Sequence, residues 1–174
     1  VVSDVSVEGY VRGVIPREIS ASWAYAGDGA GANAVRAQAV AARSYGLAQG
    51  RSYTYPGSST RYASTCDTTS CQVYGGSATR SSATGSVTSV EHVATDAAVA
   101  ATADVVRRWS SGHSQAGQIV STEFSASNGP RTAGGAFPPV DDIGDPTPQN
   151  PYHRWTRIID ADTFAAQHGL GAIT

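Results

Sequence analysis

Among the residues of this chain that could do chemistry, one carboxylate stands out. Glu18 lies two positions after a proline in the stretch Val11 to Ser22, VRGVIPREISAS, and a positioned glutamate can give a proton to a reacting oxygen or take one from it. Few residues compete with it. No G-x-S-x-G nucleophile elbow is present, and none of His92, His113, His153 and His168 sits in a pattern that reads as a Ser-His-Asp hydrolase. On its own twelve residues, however, Glu18 reads better as a solvated surface carboxylate beside Arg17.

The second chemically marked feature is a cysteine pair. Cys66 and Cys71 are separated by polar, turn-forming residues in STCDTTSCQVYGG. This spacing favours a disulfide, and with it an oxidising, extracytoplasmic setting. Zinc is the competing reading, but it needs two more ligands and no histidine lies close in sequence.

The elements that must hold these residues are partly legible. Val7, Tyr10, Val11, Val14 and Ile15 recur at helical spacing with Ser6 as N-cap, and Pro16 is expected to stop that helix and turn the chain, leaving Glu18 on a rigid corner. Residues 32 to 49 form a second helix with a stripe of small side chains, Val35, Ala39, Ala42 and Gly46. Gln38 and Arg43 flank that stripe and Tyr45 lies farther round. Arg43 is either a surface cation with a buried stem or a group aimed at a carboxylate or a sugar.

Residues 50 to 90 are rich in Ser, Thr, Gly and Tyr and predict a long irregular excursion. A third helix is expected over about 91 to 102, then two strands, about 104 to 109 and 118 to 127, joined by a hairpin with an exposed, non-catalytic His113 at its tip. Residues 128 to 151, dense in Gly and Pro, predict a loop over a surface, and Asp162 is expected to cap a short last helix running to Gln167 and stopped by Gly169. The fold class is α+β. The helix of residues 32 to 49 is expected on a small antiparallel sheet, with loops around Cys66 to Gly76 and Asn128 to Pro139 bordering a groove.

Composition narrows the function classes. The 174 residues suit a single domain with one core, here taken as residues 1–174. Only 15% are charged, the net charge is −2, and all 12 basic residues are arginines scattered along the chain, so neither a nucleic-acid footprint nor a membrane-surface stripe is visible. No apolar run approaches a membrane span and no signal peptide begins the chain. With Val1 in first place it reads as a mature or excised piece.

Four stretches in one order, VRGVIPREISASW, AVRAQAVAARSYGL, CDTTSCQVYGG and EFSASNGPRTAGG, resemble the catalytic domain of the stage II sporulation protein D family, the amidase enhancers. The resemblance spans about residues 5 to 157. It implies a lytic transglycosylase that cleaves peptidoglycan glycan strands between N-acetylmuramic acid and N-acetylglucosamine, with the glutamate after the first motif's proline as the catalytic residue. Glu18 occupies that position. Motif positions Gln38, Arg43, Asp67, Gln72, Tyr74, Ser125, Ser127 and Arg131 are then candidates for the saccharide groove. For Asp67 a turn held by local bonds weighs equally. Ser125 and Ser127 would share one face of a strand.

The chain departs from the family in two places. Some relatives bind zinc through the cysteine pair and a histidine shortly upstream. The preceding SSTRYAST has no histidine, so neither zinc nor any other cofactor is expected. Asn128 stands where relatives often have a third cysteine.

A single carboxylate suffices for the implied reaction. It protonates the glycosidic oxygen, then takes the proton of the muramyl 6-hydroxyl as that oxygen closes on C1, so no water needs activating. The acid must start protonated, which burial or the carbonyl end of a helix would favour, whereas an N-terminal helical turn beginning at Pro16 would act the other way. Two other functions fit the same residues: a non-catalytic wall-binding module that stimulates a partner amidase, and a hydrolase pairing Glu18 with Asp67 or Glu123.

Overall fold

The computed structural model describes residues 5–48, 53–54, 57, 59, 61–63 and 65–171. They belong to two compact units, Val1–Phe124 and Ser125–Thr174. The fold is α+β, with helices and two short antiparallel ladders.

In the first unit, helix α1 (Val7–Glu18) starts where the Ser6 hydroxyl accepts the Gly9 N–H at 3.1 Å. Val11, Val14 and Ile15 are its buried stripe. The expected stop at Pro16 does not occur: the helix passes through it to Glu18, and the Ile19 N–H still reaches the Ile15 carbonyl at 3.0 Å. Proline's fixed φ is helical, and this close to a helix end the missing N–H leaves only the last turn to compensate. A 3₁₀ turn (Ala21–Tyr25) then leads to α2 (Ala32–Ala48). Gln49, the last residue expected in α2, lies outside the described residues.

The excursion after α2 contributes ladder β1 (Tyr53–Thr54) with β2 (Arg61–Ala63), and β3 (Ala78–Arg80) with β4 (Val87–Ser89). The second is in plain register, Ala78 opposite Ser89 and Arg80 opposite Val87. Helix α3 (Val93–Ala101) follows, capped by His92, whose Nδ1 accepts the Ala94 N–H at 3.1 Å. The core is where α1, α2 and α3 meet: Val11, Val14, Ile15, Val35, Ala39, Ala42, Ala98 and Val99. Alanines at the centre let the helices approach closely. Among the described residues no helix is long and apolar enough to cross a membrane.

One charged pair runs through this core. Arg43, 1% exposed, donates from Nε and Nη2 to Glu8 at 2.8 and 2.6 Å, and from Nη1 to the Val105 carbonyl at 3.1 Å. Glu8 also accepts the N–H of Asp104, which is held at φ 62°. The arginine therefore faces neither solvent nor an open groove.

Where two strands are expected after α3, a tight hairpin forms instead, with a single bridge from Arg108 to Ile119. Trp109 donates to the Gln118 carbonyl and Val120 to that of Arg107. Bonds to α2 divert this segment from a longer ladder: Ser44 Oγ takes the Arg107 N–H at 2.9 Å, and the Thr122 hydroxyl donates to the Ala41 backbone carbonyl at 2.7 Å. His113, half-buried, stacks on Trp109 at 3.8 Å between ring centres.

In the second unit, Arg131 bridges to Asp141 and Thr132 pairs with Val140, so the expected loop doubles back on itself. Helix α4 (Ala161–His168) is capped by Asp160 and not by Asp162. The Asp160 carboxylate accepts the Thr163 N–H at 3.0 Å, and that bond holds its carboxyl below the usual range. Gly169, in the left-handed region at φ 63°, ends the helix as expected.

The Arg43 bond also holds the Glu8 carboxyl below its usual range. A lowered folded value means that the pair's stabilisation is complete above the unfolded value, near 4.5, and fades as pH falls through the folded value. Denaturant unfolding should therefore show a constant deficit for Glu8→Gln above about pH 4.5, closing below it. Glu8→Ala, which strands the arginine, should lower stability by about 3–5 kcal/mol at neutral pH.

Candidate functional site

Glu18 is the last residue of α1, so its carboxylate stands at the carbonyl end of the helix. The sequence left the direction of that dipole open, and the unbroken helix settles it: the negative end faces Glu18. The side chain is exposed, and Oε1 accepts the Val73 N–H at 3.3 Å.

That N–H belongs to an extended strap, Gln72 to Gly76, that runs along α1. Gln72 is buried, and its Oε1 accepts the Tyr10 hydroxyl at 3.0 Å. Burial pushes the Tyr10 hydroxyl up, which keeps it a donor. The Tyr74 ring stacks on Tyr10 at 5.6 Å and covers Gly13, where a Cβ would fall 2.8 Å from Cδ2 of that ring. The Gly75 N–H donates to the Gly13 carbonyl at 3.0 Å, and a Cβ on Gly75 would strike the Arg17 side chain at 2.6 Å. Alternation along the strap sends Gln72 and Tyr74 inward to α1 and leaves Cys71 and Val73 on the other side.

Cys66 and Cys71 are joined in a disulfide. The turn between them closes through the Cys71 N–H on the Thr68 carbonyl at 2.9 Å. With both sulfurs bonded to each other, the donor set does not fit the zinc held by some relatives. Among the described residues there is no group of three or more His, Cys, Asp or Glu side chains able to hold a metal.

Glu18 lines a pocket of about 550 Å³ with Arg17, Tyr45, Thr69, Cys71, Val73, Glu123 and Phe124. Four elements meet there: the end of α1, α2 through Tyr45, the disulfide turn with its strap, and the segment after the hairpin. Tyr45 and Phe124 pack edge to face at 6.5 Å. The Thr122 bond to α2 is what places Glu123 and Phe124 beside Tyr45. The arrangement offers a carboxylate, a second carboxylate, a guanidinium and two aromatic rings, in a volume suited to a small polar ligand.

The remaining sequence candidates take other places. Gln72 and Tyr74 hold the strap, and Arg43 is in the core. Gln38 is half-buried on α2 with a buried Nε2 that finds no partner among the described residues. Asp67 is exposed on the disulfide turn, whose local bonds come from Thr68. Ser125, Ser127 and Arg131 belong to the second unit. There the two serines form a hydrogen-bonded turn and no strand, Ser125 donating to Asn128 at 2.7 Å and Ser127 to Asp145 at 2.9 Å. Arg131 pairs with Asp141 at 2.7 Å in the open.

The sequence singled out neither Tyr45 nor Phe124 for the site. Their only signal is position: each lies inside a family-like stretch, SYGL and EFSAS.

A family model described as stage II sporulation protein matches residues 1–109, and the chain belongs to that family. No curated protein and no solved structure matches the chain.

Gly13 tests the strap. Gly13→Ala should push Tyr74 and the Val73 N–H away from α1 and lower stability by about 1–3 kcal/mol, read as a fall of several degrees in the thermal midpoint.

Proposed function

We propose that the chain is a peptidoglycan lytic transglycosylase that cleaves the bond between N-acetylmuramic acid and N-acetylglucosamine without consuming water. The observation that carries this reading is the place of Glu18. It ends a capped, core-packed helix, sits two residues after the proline as in the family motif, and lines a pocket with two aromatic rings.

Glu18 in its acid form protonates the glycosidic oxygen as the bond to C1 breaks. The resulting carboxylate takes the proton of the muramyl 6-hydroxyl while O6 closes on C1, giving a 1,6-anhydro end and restoring the acid. The Val73 N–H meets the carboxylate formed midway. Tyr45 and Phe124 offer faces to the sugar rings flanking the cleaved bond. Gln72 and Tyr74 serve substrate through the strap they anchor. Such an activity belongs outside the cytoplasm, where peptidoglycan lies and a disulfide persists.

Glu123 supports a second reading. A second carboxylate in the same pocket is what a glycoside hydrolase uses to activate water. Mass spectrometry of digested glycan strands in ¹⁸O-water separates the two. Transglycosylation gives anhydromuramic ends without label, and hydrolysis gives labelled reducing ends.

Glu18→Gln keeps the shape and removes the acid, so product release should fall by about 10²–10⁴-fold with the thermal midpoint unchanged. Full activity in this variant would sink the assignment. Glu123→Gln should retain anhydro products, whereas its complete loss of turnover would favour the hydrolase.

A further inference from the structure

We infer that Glu123 is a specificity-determining residue of the Glu18 pocket: its carboxylate receives the free 2-ammonium group of an amino sugar beside the cleaved bond, so that glycan strands which have lost N-acetyl groups are preferred to fully acetylated ones. The inference takes the identity of the ligand from the transglycosylase reading, and its test does not depend on turnover.

Every residue lining the pocket, from Arg17 to Phe124, belongs to the first unit. Two of them are carboxylates in different surroundings. Glu18 Oε1 accepts the Val73 N–H at 3.3 Å, so part of its charge is met within the protein. Glu123 has neither a hydrogen-bond donor nor a cation as partner among the described residues. Arg17 does not supply one. Its side chain lies along the strap, where a Cβ on Gly75 would fall 2.6 Å from Nε, and among the described residues it forms no ion pair.

Glu123 is exposed, so water meets its charge while the pocket is open. A bound sugar displaces that water, and a carboxylate desolvated without a counter-charge is costly. An acetylated sugar offers it one neutral amide N–H. An ammonium on the same carbon offers three donors and the opposite charge, and charge-assisted hydrogen bonds are about twice as strong as neutral ones. The rings act in the same direction. Phe124 follows Glu123 directly and packs with Tyr45 at 6.5 Å, and an aromatic face attracts a cation but not an acetyl group. The Thr122 bond to the Ala41 carbonyl fastens this segment to α2, so the carboxylate is carried on a held backbone. Such a glycan is the product of amide hydrolysis that removes acetate from the 2-amino group, and a reaction of that class would supply the preferred substrate.

The test uses the full chain carrying Glu18→Gln, which binds without turnover and leaves Glu123 as the carboxylate lining the pocket. Isothermal titration at about pH 6, where an amine of this kind is protonated, compares peptide-free peptidoglycan oligosaccharides before and after chemical N-deacetylation. The deacetylated probe should bind about tenfold more tightly. Adding Glu123→Gln should bring the two affinities together, and adding Glu123→Asp should keep most of the preference. Equal affinities in the Glu18→Gln chain overturn the inference, as does a preference that persists with Glu123→Gln or a Glu18→Gln chain that binds neither probe. Thermal midpoints should not move with either substitution of Glu123, whose side chain has no partner to lose. Anhydro product formation by the unsubstituted chain is measured separately, so failure of the reaction at Glu18 and failure of this preference are told apart.

Discussion

The first unit depends on one constraint: the guanidinium of Arg43 is buried, and a buried cation must be fully paired. Glu8 meets it with two oxygens, and the carbonyls of Ala39, Val99 and Val105 take the remaining donors. Those partners come from α1, α2, α3 and the segment after α3, so a slip of any one would strand charge in the interior. Apolar packing of Val11, Ala39 and Val99 supplies the driving force but tolerates sliding. The ion pair fixes the register that packing alone leaves loose.

From that register the site follows. Setting Glu8 against Arg43 fixes the rotation of α1 and hence the direction in which Glu18 leaves its last turn. One residue past Arg43, Ser44 captures the Arg107 N–H, and the next residue, Tyr45, faces the pocket. The strap is then laid on α1 by groups spread along its length, from Tyr10 through Gly13 to Glu18. Glycine at position 13 is what permits the close approach, since the Tyr74 ring occupies the space of a side chain. The disulfide shortens the free run of chain leading into the strap, so ordering it forfeits less entropy than an open loop would.

What was legible in the sequence was local. The Ser6 cap, the stripes of α1 and α2, the third helix and the cysteine pair each depend on residues within a few positions of one another, and periodicity and turn chemistry report on that range. Pro16 misled because its stop signal ignores how little helix remained to be broken. Asp162 misled for a similar reason: Asp160, two residues earlier, has the same cap chemistry and the better reach to Thr163. For Arg43 the sequence leaves a surface cation and a group aimed at a carboxylate or a sugar both open; its partner is a carboxylate 35 residues away, and nothing in spacing reports such a pairing. The same holds for the Val73 bond to Glu18, across 55 residues, and for Glu123 and Phe124, whose place is set by a bond from Thr122 to α2 across 81.

The low charge of the chain makes its few buried charges informative. Each unit is organised round one of them, Arg43 with Glu8 in the first and Asp145 with His153 in the second. In both, the buried charge is satisfied by donors or acceptors from distant positions, so it acts as a fastener as much as an electrostatic group. Serines and asparagines that look like ligand contacts in EFSASNGP are therefore engaged internally, with Ser127 and Asn128 both directed at Asp145. The groups left at the surface beside those fasteners are aromatic rings, a helix-terminal carboxylate and the imidazole paired with Asp145. Polar motifs in such a chain mark where a surface is being held: Ser44 ties α2 to the Arg107 N–H, and Tyr45, the next residue, lines the pocket.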